Sequence, residues 1–205
     1  MDTITTAQAS VPDAQAILAR LSALEQATAE AQQRASSAEQ RVAELEARLP
    51  KDKLSMVVFS GDLDKVLAGF VIASGAAAMG LEVTMFFTFW GLAAIRQRKD
   101  WGGKDIKELM LQVMTPGAST GLIPSKLGFL GAGSLMLRQM MKEKDVASLE
   151  DLIALARESG VRLVACTMSM DVMGVRQEEL MPEVELGGVA MFVGEAQESK
   201  ASLFI

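Results

Sequence analysis

Short apolar runs and longer helical stretches follow one another along most of the chain. Runs at 54–59 and 81–87 are rich in β-branched or aromatic residues and indicate buried strands, while the Ala- and Gly-rich stretch at 63–79 indicates a helix. A strand, a helix and a second strand form a β-α-β unit, in which the strands are parallel. A helix at 149–159 and a strand at 161–166 repeat this alternation. The pattern therefore predicts an α/β fold, a parallel sheet with helices on both faces.

Residues that begin or end helices agree with these boundaries. Asp62 can cap the helix at 63–79, and Ser148 and Asp151 have the spacing of a capping box for the helix at 149–159. The other predicted elements are a short helix at 106–114, an acidic helix at 175–180, a turn at 183–188, a helix at 188–199 and a last strand at 201–205.

The middle of the chain contains a different kind of segment. Gly and Pro interrupt residues 115–130, which therefore cannot form one regular element, and the stretch at 135–144 is rich in Met and Lys. Loops and Met-rich surfaces of this kind can cover a site. An ordinary loop followed by a core helix has the same composition, so both interpretations stay open here.

The N-terminal quarter of the chain has a heptad pattern instead. Residues 1–11 are small and polar and are expected to be a disordered lead-in, and Pro50 ends the pattern that follows. Apolar or small residues recur at spacings of four and three over more than four heptads, which predicts a coiled-coil helix over 12–50 and self-association through it. A solvated helix docked on its own domain is the alternative. The seam positions are Ile17, Leu21, Leu24, Thr28, Ala31, Ala35, Ala38, Val42, Leu45 and Leu49.

The stretch 66–95 raises the question of a membrane segment. It has thirty residues with Glu82 as its one charge, which is long enough to span a bilayer. Gly80 and a strand-like aromatic run lie inside it, however, where a spanning helix disfavours them. A buried helix and strand produce the same hydropathy, so a membrane association is the less favoured interpretation.

Composition excludes several classes of site. The net charge of −6 and the isoelectric point near 4.8 argue against nucleic-acid binding, which needs clustered Lys and Arg. The chain has no His and one Cys, so catalytic triads with His, metal sites with His ligands, thiolate zinc sites within one chain and internal disulfides are all excluded. A single Cys favours a reducing compartment, and the N-terminus lacks the pattern of a signal peptide, so we expect a cytoplasmic protein.

The single cysteine lies where chemistry is expected. Cys166 ends the apolar run at 161–166 and is followed at once by small polar residues typical of a helix start. The carboxyl end of a strand is where open α/β sheets bind ligands, and helix N–H groups favour a thiolate. Cys166 is therefore the candidate nucleophile. The alternative is a small buried hydrophobe, because free Cys is among the most buried residue types.

Other strand ends should lie along the same edge of the sheet. Ser60-Gly61 follows the first strand and Thr88 the second, so both should approach the start of the helix after Cys166. Backbone N–H groups and hydroxyls there could hold an anionic sulfur, and neither a metal nor a cofactor is required. The candidate sulfur- or anion-binding residues are Thr167, Met168, Ser169, Met170, Ser60, Gly61 and Thr88. Four basic residues are candidates for steering an anionic reactant that donates to Cys166, and a solvated surface charge is the alternative for each. They are Arg96, Lys99, Lys126 and Arg138.

Five motifs resemble the DsrE/DsrF-like family, in particular its larger members once labelled peroxiredoxin-like. They run in order over 53–205 and leave the heptad helix uncovered. The domains expected are thus the lead-in, the coiled-coil helix and an α/β domain at 51–205. The motifs are Ser60-Gly61-Asp62-Leu63-Asp64-Lys65, Ala76-Ala77-Ala78-Met79-Gly80, Phe86-Phe87-Thr88-Phe89-Trp90-Gly91-Leu92, Ala165-Cys166-Thr167-Met168-Ser169-Met170-Asp171-Val172-Met173-Gly174 and Gly187-Gly188-Val189-Ala190.

The resemblance implies a flavodoxin-like domain that oligomerises and takes part in intracellular sulfur transfer. In such proteins a cysteine carries sulfane sulfur as a persulfide and exchanges it with rhodaneses or TusA-type carriers, and Cys166 matches that role. Some relatives are membrane-associated. A two-cysteine peroxidase cycle is not expected, because it needs a resolving Cys. Two alternatives stay open: a non-catalytic assembly subunit with a buried Cys166, and a small-anion or nucleotide-binding module.

Overall fold

The computed structural model describes residues 13–100, 102, 105–125 and 132–205, with most but not all of their side chains. The described part of the chain divides into an N-terminal helix and a compact unit that begins at Pro50. The predicted lead-in at 1–11 lies outside the described residues. The domain boundaries predicted at 12–50 and 51–205 stay a prediction.

Helix α1 spans Ala14–Arg48 and has 35 residues. Its sequence is dominated by Ala, Glu, Gln, Arg and Leu, which have high helix propensity, and it contains no Gly. Leu49 is already extended and Pro50 follows, so the helix ends where Pro removes a donor. Every described side chain between Asp13 and Glu46 is exposed. The helix is confirmed, and its self-association stays a prediction.

The compact unit is built on a five-stranded sheet in which all neighbouring strands are parallel. Across the sheet the strands lie in the order β4 (Glu185–Gly187), β3 (Arg162–Cys166), β2 (Glu82–Phe87), β1 (Lys51–Val58) and β5 (Ser199–Phe204). The predicted flavodoxin-like α/β arrangement is confirmed. The predicted turn at 183–188 is wrong in part, because it contains the edge strand β4.

Six further helices connect the strands in the described part of the chain. The capping box is confirmed, since Ser148 Oγ accepts from the Asp151 N–H and the Asp151 carboxylate accepts from the Ser148 N–H. The acidic helix predicted at 175–180 is wrong: a single 3₁₀ turn at Gln177–Glu179 lies there. The helices are α2 (Leu63–Ala78), α3 (Ile106–Met114), α4 (Ala132–Glu143), α5 (Leu149–Glu158), α6 (Thr167–Met173) and α7 (Val189–Glu198), with further 3₁₀ helices at Phe89–Ile95 and Ser119–Gly121.

The two faces of the sheet are covered by different helices. Strands β1 to β4 follow one another across the sheet, so right-handed crossovers place α2 and α5 on one face, where the main core forms. The connection from β4 to β5 runs back past β1, and its helix α7 lies on the opposite face. Alternation along each strand therefore decides which helix a side chain meets.

The apolar stretch 66–95 folds into three separate elements. It supplies most of α2, all of β2 and the 3₁₀ helix that follows. Within the described ranges, no helix combines the length and the apolar character needed to cross a bilayer. Burial in the α/β unit accounts for much of the hydropathy of this stretch, although Val71 and Ile72 of α2 and Met79 at its end are exposed.

Candidate functional site

Cys166 occupies the junction between β3 and α6. It is the last residue of β3 and the N-cap residue of α6, with extended backbone angles (φ −71°, ψ 113°). In the sheet it is paired with Gly187 of β4. The predicted position at the carboxyl end of a strand is therefore what the fold produces.

The thiol faces α7 and is fully buried. Alternation along β3 places Val164 and Cys166 on one face, together with Phe86 of β2. Met191 and Phe192 of α7 pack against this cluster. The exposed fraction of Cys166 is 0%, so a reagent in solution has no path to the thiol in this conformation.

An aromatic pair holds α7 over the cluster. The rings of Phe86 and Phe192 are stacked with centroids 5.1 Å apart, an arrangement that adds stability beyond the area buried. Helix α4, in the Met-rich stretch considered as a cover, instead borders a cavity of about 330 Å³ beside Leu63, Leu67 and Leu149. No local pattern in the sequence marks α7 as the cover, since that depends on the crossover from β4 to β5.

Gly187 has no side chain, and the side chains of Met191 and Val164 pack into the space that this leaves beside Cys166. A Cβ atom on Gly187 would collide with Met191 Cε and lie 2.7 Å from Val164 Cγ1. Both of those side chains also belong to, or pack against, the cluster that contains Cys166. The glycine beside Cys166 thus permits the close packing of α7 on β3.

Opposite charges anchor the C-terminal half of α7 to the sheet. Glu195 accepts hydrogen bonds from Lys53 Nζ of β1 (3.1 Å) and from Arg162 of β3 (3.0 Å). The bond from Lys53 is the main cause that holds the pKa of Glu195 below its ordinary value of 4.5. Arg162 also binds Glu185 of β4, 2.8 Å away. The ion pairs lie at residues 195 and 198, where Glu198 binds Lys51, whereas the cover over Cys166 is formed by residues 191 and 192.

Two hydroxyls of the predicted site meet directly. Thr88 Oγ1 follows β2 and lies 2.6 Å from Ser169 Oγ of α6, and both residues are buried. One hydroxyl donates to the other, and the acceptor keeps a proton of its own for another partner. This bond joins α6 to the end of β2. The sequence predicts both residues at one edge of the sheet, and the structure brings them into contact.

Ser60 and Gly61 line a separate cavity of about 430 Å³ at the end of β1. Ser60 Oγ accepts from the Asp62 N–H (3.1 Å), and the Asp62 carboxylate binds Lys65 Nζ at 2.7 Å rather than capping α2. Cys166 is not among the lining residues. The cavity is lined by Phe59, Ser60, Gly61, Asp62, Lys65, Trp90, Pro116 and Ile123.

The four predicted residues after Cys166 divide between core and surface. Ser169 and Met170 are buried, whereas Thr167 and Met168 are exposed, Met168 by 49%. Gly174 ends α6 in the left-handed conformation (φ 63°) and donates to the carbonyls of Asp171 and Met170. Thr167 and Met168 are thus the exposed residues that follow the Cys166 thiol directly in sequence.

The basic candidates for steering have other roles where they are described. Arg96 is 2% exposed and forms an ion pair with the fully buried Glu179, so the expectation of a solvated charge is wrong for it. Arg138 binds Glu150 at 3.0 Å. Lys99 donates to a backbone carbonyl, and burial lowers its pKa. Lys126 lies outside the described residues.

The comparisons with known proteins agree with the motifs. A family model described as the DsrE/DsrF/DrsH-like family matches residues 50–204. The chain belongs to this family. The DsrE/DsrF/DrsH-like match begins after α1, so the heptad helix lies outside it. The resemblance predicted from the sequence is therefore confirmed.

Two relatives of this DsrE/DsrF/DrsH-like chain align over nearly their whole length. The uncharacterized protein YrkE of Bacillus subtilis is 42% identical over 154 residues, which cover 75% of this chain and 96% of the relative. Sulfur carrier protein DsrE2 of Allochromatium vinosum is 33% identical over 170 residues, covering 77% and 100%. The chain is thus similar to a protein named as a sulfur carrier.

A solved structure, the Escherichia coli YchN protein, aligns with 75% of this chain and 98% of its own. Its sequence identity is 11% and its TM-score is 0.44. Across the described ranges, no three acidic or Cys side chains are grouped in a way that could hold a metal ion.

Proposed function

We propose that this protein is an intracellular sulfur carrier or sulfurtransferase that holds sulfane sulfur as a persulfide on Cys166. Membership of the DsrE/DsrF/DrsH-like family and the similarity to the sulfur carrier DsrE2 support sulfur trafficking as the general role. The observation that carries the specific assignment is the position of the only cysteine, at the carboxyl end of β3 and directly before α6.

The proposed reaction is an exchange between sulfur atoms. The Cys166 thiolate attacks the outer sulfur of a donor persulfide, a new S–S bond forms, and the donor S–S bond breaks with its electron pair going to the donor thiolate. An acceptor thiolate later takes the outer sulfur in the same way and regenerates Cys166. No net oxidation occurs, so no cofactor is required. Helix α6 has only seven residues, and the proposal does not rest on its dipole.

Sulfur exchange requires that α7 moves away from Cys166. The attacking sulfur atoms must come into contact, and the cluster under Met191 and Phe192 excludes solvent. Since the ion pairs of α7 lie at Glu195 and Glu198, an opening that lifts residues 189–192 can leave those pairs in place. The exposed Met168 and Thr167 lie next to the thiol in sequence, and we assign the docking of a partner to that side.

Rhodanese or TusA-type carrier proteins are the proposed donors and acceptors, because the exchange needs a partner cysteine that carries a persulfide. A cytoplasmic location and self-association of the α/β domain belong to the same proposal. The single cysteine is consistent with a reducing compartment.

Intact mass spectrometry tests the proposal. The native protein is exposed to polysulfide, or to thiosulfate with a rhodanese, and a gain of sulfur mass that a reductant reverses is expected. Cys166→Ala should abolish the gain while the circular dichroism spectrum stays native, and Cys166→Ser is a second variant in case one is unstable. Absence of a gain in the native protein and also in Phe192→Ala, which uncovers the thiol, would overturn the proposal.

One observation favours a second function, that of an assembly subunit with a structural cysteine. Cys166 is fully buried among apolar side chains, as inert cysteines are. This alternative expects Cys166 to react with a maleimide only after denaturation, and Cys166→Ala to assemble normally. Slow labelling of the native protein under conditions that keep it folded supports the carrier instead.

A further inference from the structure

Helix α1 carries an apolar seam whose larger side chains are exposed. Its larger members, Ile17, Leu24 and Leu45 among them, are 44%, 61% and 62% exposed. The seam lies outside the region matched by the family model. The prediction of self-association leaves open which way a partner helix would run.

The apolar residues themselves do not decide the direction. Large side chains occupy both ends of the seam and Thr or Ala its centre, so the pattern is nearly symmetric about residue 33. In a parallel pair, Leu21 would face Leu21 of the partner subunit. In an antiparallel pair it would face Leu45 of the partner subunit, so both arrangements set large residues against each other. A parallel shift by one heptad, however, would set Leu24 against the small Ala31 of the partner subunit.

The charges beside the seam do decide it. The heptad g positions hold arginines and the e positions hold glutamates, with breaks only at Ala27, Leu18 and Gln32. In a parallel coiled coil a g residue of one helix faces the e residue five positions later on the other, and such pairs set orientation. The pairs formed in register are Arg20 with Glu25, Arg34 with Glu39 and Arg41 with Glu46 of the partner subunit.

We propose that α1 associates with α1 of a second copy of this chain in a parallel, in-register coiled coil. An antiparallel pair places g against g and e against e, which brings Arg34 against Arg34 of the partner subunit and Glu25 against Glu39 of the partner subunit. A shift by one heptad loses half of the opposite-charge pairs. This arrangement is independent of the sulfur chemistry proposed for Cys166.

Site-specific crosslinking of the full chain measures the direction. Leu21→Cys and Leu45→Cys are made separately in a Cys166→Ala background and treated with a short bis-maleimide. Parallel association crosslinks each variant with itself, whereas an antiparallel pair separates the two thiols introduced at position 21 by about 36 Å and crosslinks only the mixture of variants. Crosslinks found only in the mixture, or none in either variant alone, overturn the proposal.

Charge variants show whether the arginines and glutamates set the direction. The triple variant Arg20→Glu, Arg34→Glu, Arg41→Glu places Glu opposite Glu, and self-crosslinking through the Leu21→Cys thiol should fall at least about tenfold at low salt. Adding Glu25→Arg, Glu39→Arg and Glu46→Arg restores opposite pairs with unchanged composition and should restore the crosslink. Equal crosslinking by all three chains contradicts the proposed role of these pairs.

Discussion

Thr88 Oγ1 and Ser169 Oγ lie 2.6 Å apart in the buried interior and join the end of β2 to α6. Ser169→Ala removes one hydroxyl and leaves Thr88 Oγ1 without this partner. The free energy of unfolding is expected to fall by about 1–3 kcal/mol, since an unsatisfied buried hydroxyl loses its hydration without compensation. Urea unfolding followed by circular dichroism measures the change.

The double-mutant cycle with Thr88→Val distinguishes the bond from general packing. The double variant should be more stable than the sum of the two single effects predicts, by about 0.5–3 kcal/mol. Additive effects would show that the hydroxyl pair contributes nothing as a pair.

Truncating the aromatic cover should open the path to Cys166. Phe192→Ala removes the ring stacked on Phe86, so α7 is held less tightly over the cluster. The rate of maleimide labelling of Cys166 in the native protein is expected to rise about tenfold, which corresponds to about 1.4 kcal/mol of easier opening. Val193→Ala on the same helix is the matched control, because Val193 is 45% exposed, and it should leave the rate nearly unchanged.

Gly91 should tolerate no side chain. A Cβ atom there would collide with the carbonyl oxygen of Val58, and that backbone belongs to β1. Gly91→Ala is therefore expected to lower the free energy of unfolding by about 2 kcal/mol or more. Gly75→Ala in α2 is the control: its Cβ would have nothing within 4 Å, and a helix interior gains about 0.5–1 kcal/mol from Ala over Gly. Opposite signs in thermal denaturation are the expected result.

The ion pairs of α7 should make the domain sensitive to acid. The hydrogen bond from Lys53, followed by that from Arg162, lowers the pKa of Glu195 in the folded state. The contribution of Glu195 to the free energy of unfolding is therefore complete at pH values above its ordinary pKa of 4.5. The contribution is lost as the pH falls from there through the lower pKa of the folded state.

Glu195→Gln checks this pH dependence. The variant should lose about 1–2 kcal/mol of unfolding free energy at neutral pH and depend less on pH between about 5 and 2. Glu158→Gln, at an exposed position, is the control and should keep the slope of the native protein. Equal slopes for Glu195→Gln and the native protein would contradict the assigned role of this carboxylate.

Most of the sheet could be predicted because its signals are local. The apolar runs of β2 and β3 follow Gly80 and Gly160, which adopt positive φ angles of 85° and 79° at the ends of the preceding helices. Strand β4 has three residues and lies at the sheet edge. It lacks an apolar run, so nothing in its sequence distinguishes it from a turn.

Details that depend on distant contacts could not be predicted. Asp62 has the residue type of a helix cap, but Lys65 competes for its carboxylate. Phe89 turns the chain after β2 with φ 48°, a conformation uncommon for a bulky residue. The cover over Cys166 requires the register of β3 and the return of α7 beneath the sheet. These depend on contacts between segments far apart in sequence.

The burial of Cys166 under α7 has a kinetic consequence for a sulfur carrier. The chain has no second thiol, so a sulfur held as the proposed persulfide would have to leave to another molecule, such as one with a cysteine or a small thiol. Any such molecule could reach the sulfur only after α7 has moved away from Cys166. Loading of sulfur and its accidental loss would then share one slow step, the opening of α7. A partner protein that promotes this opening could speed the transfer of sulfur to itself, whereas free thiols in solution would still react slowly.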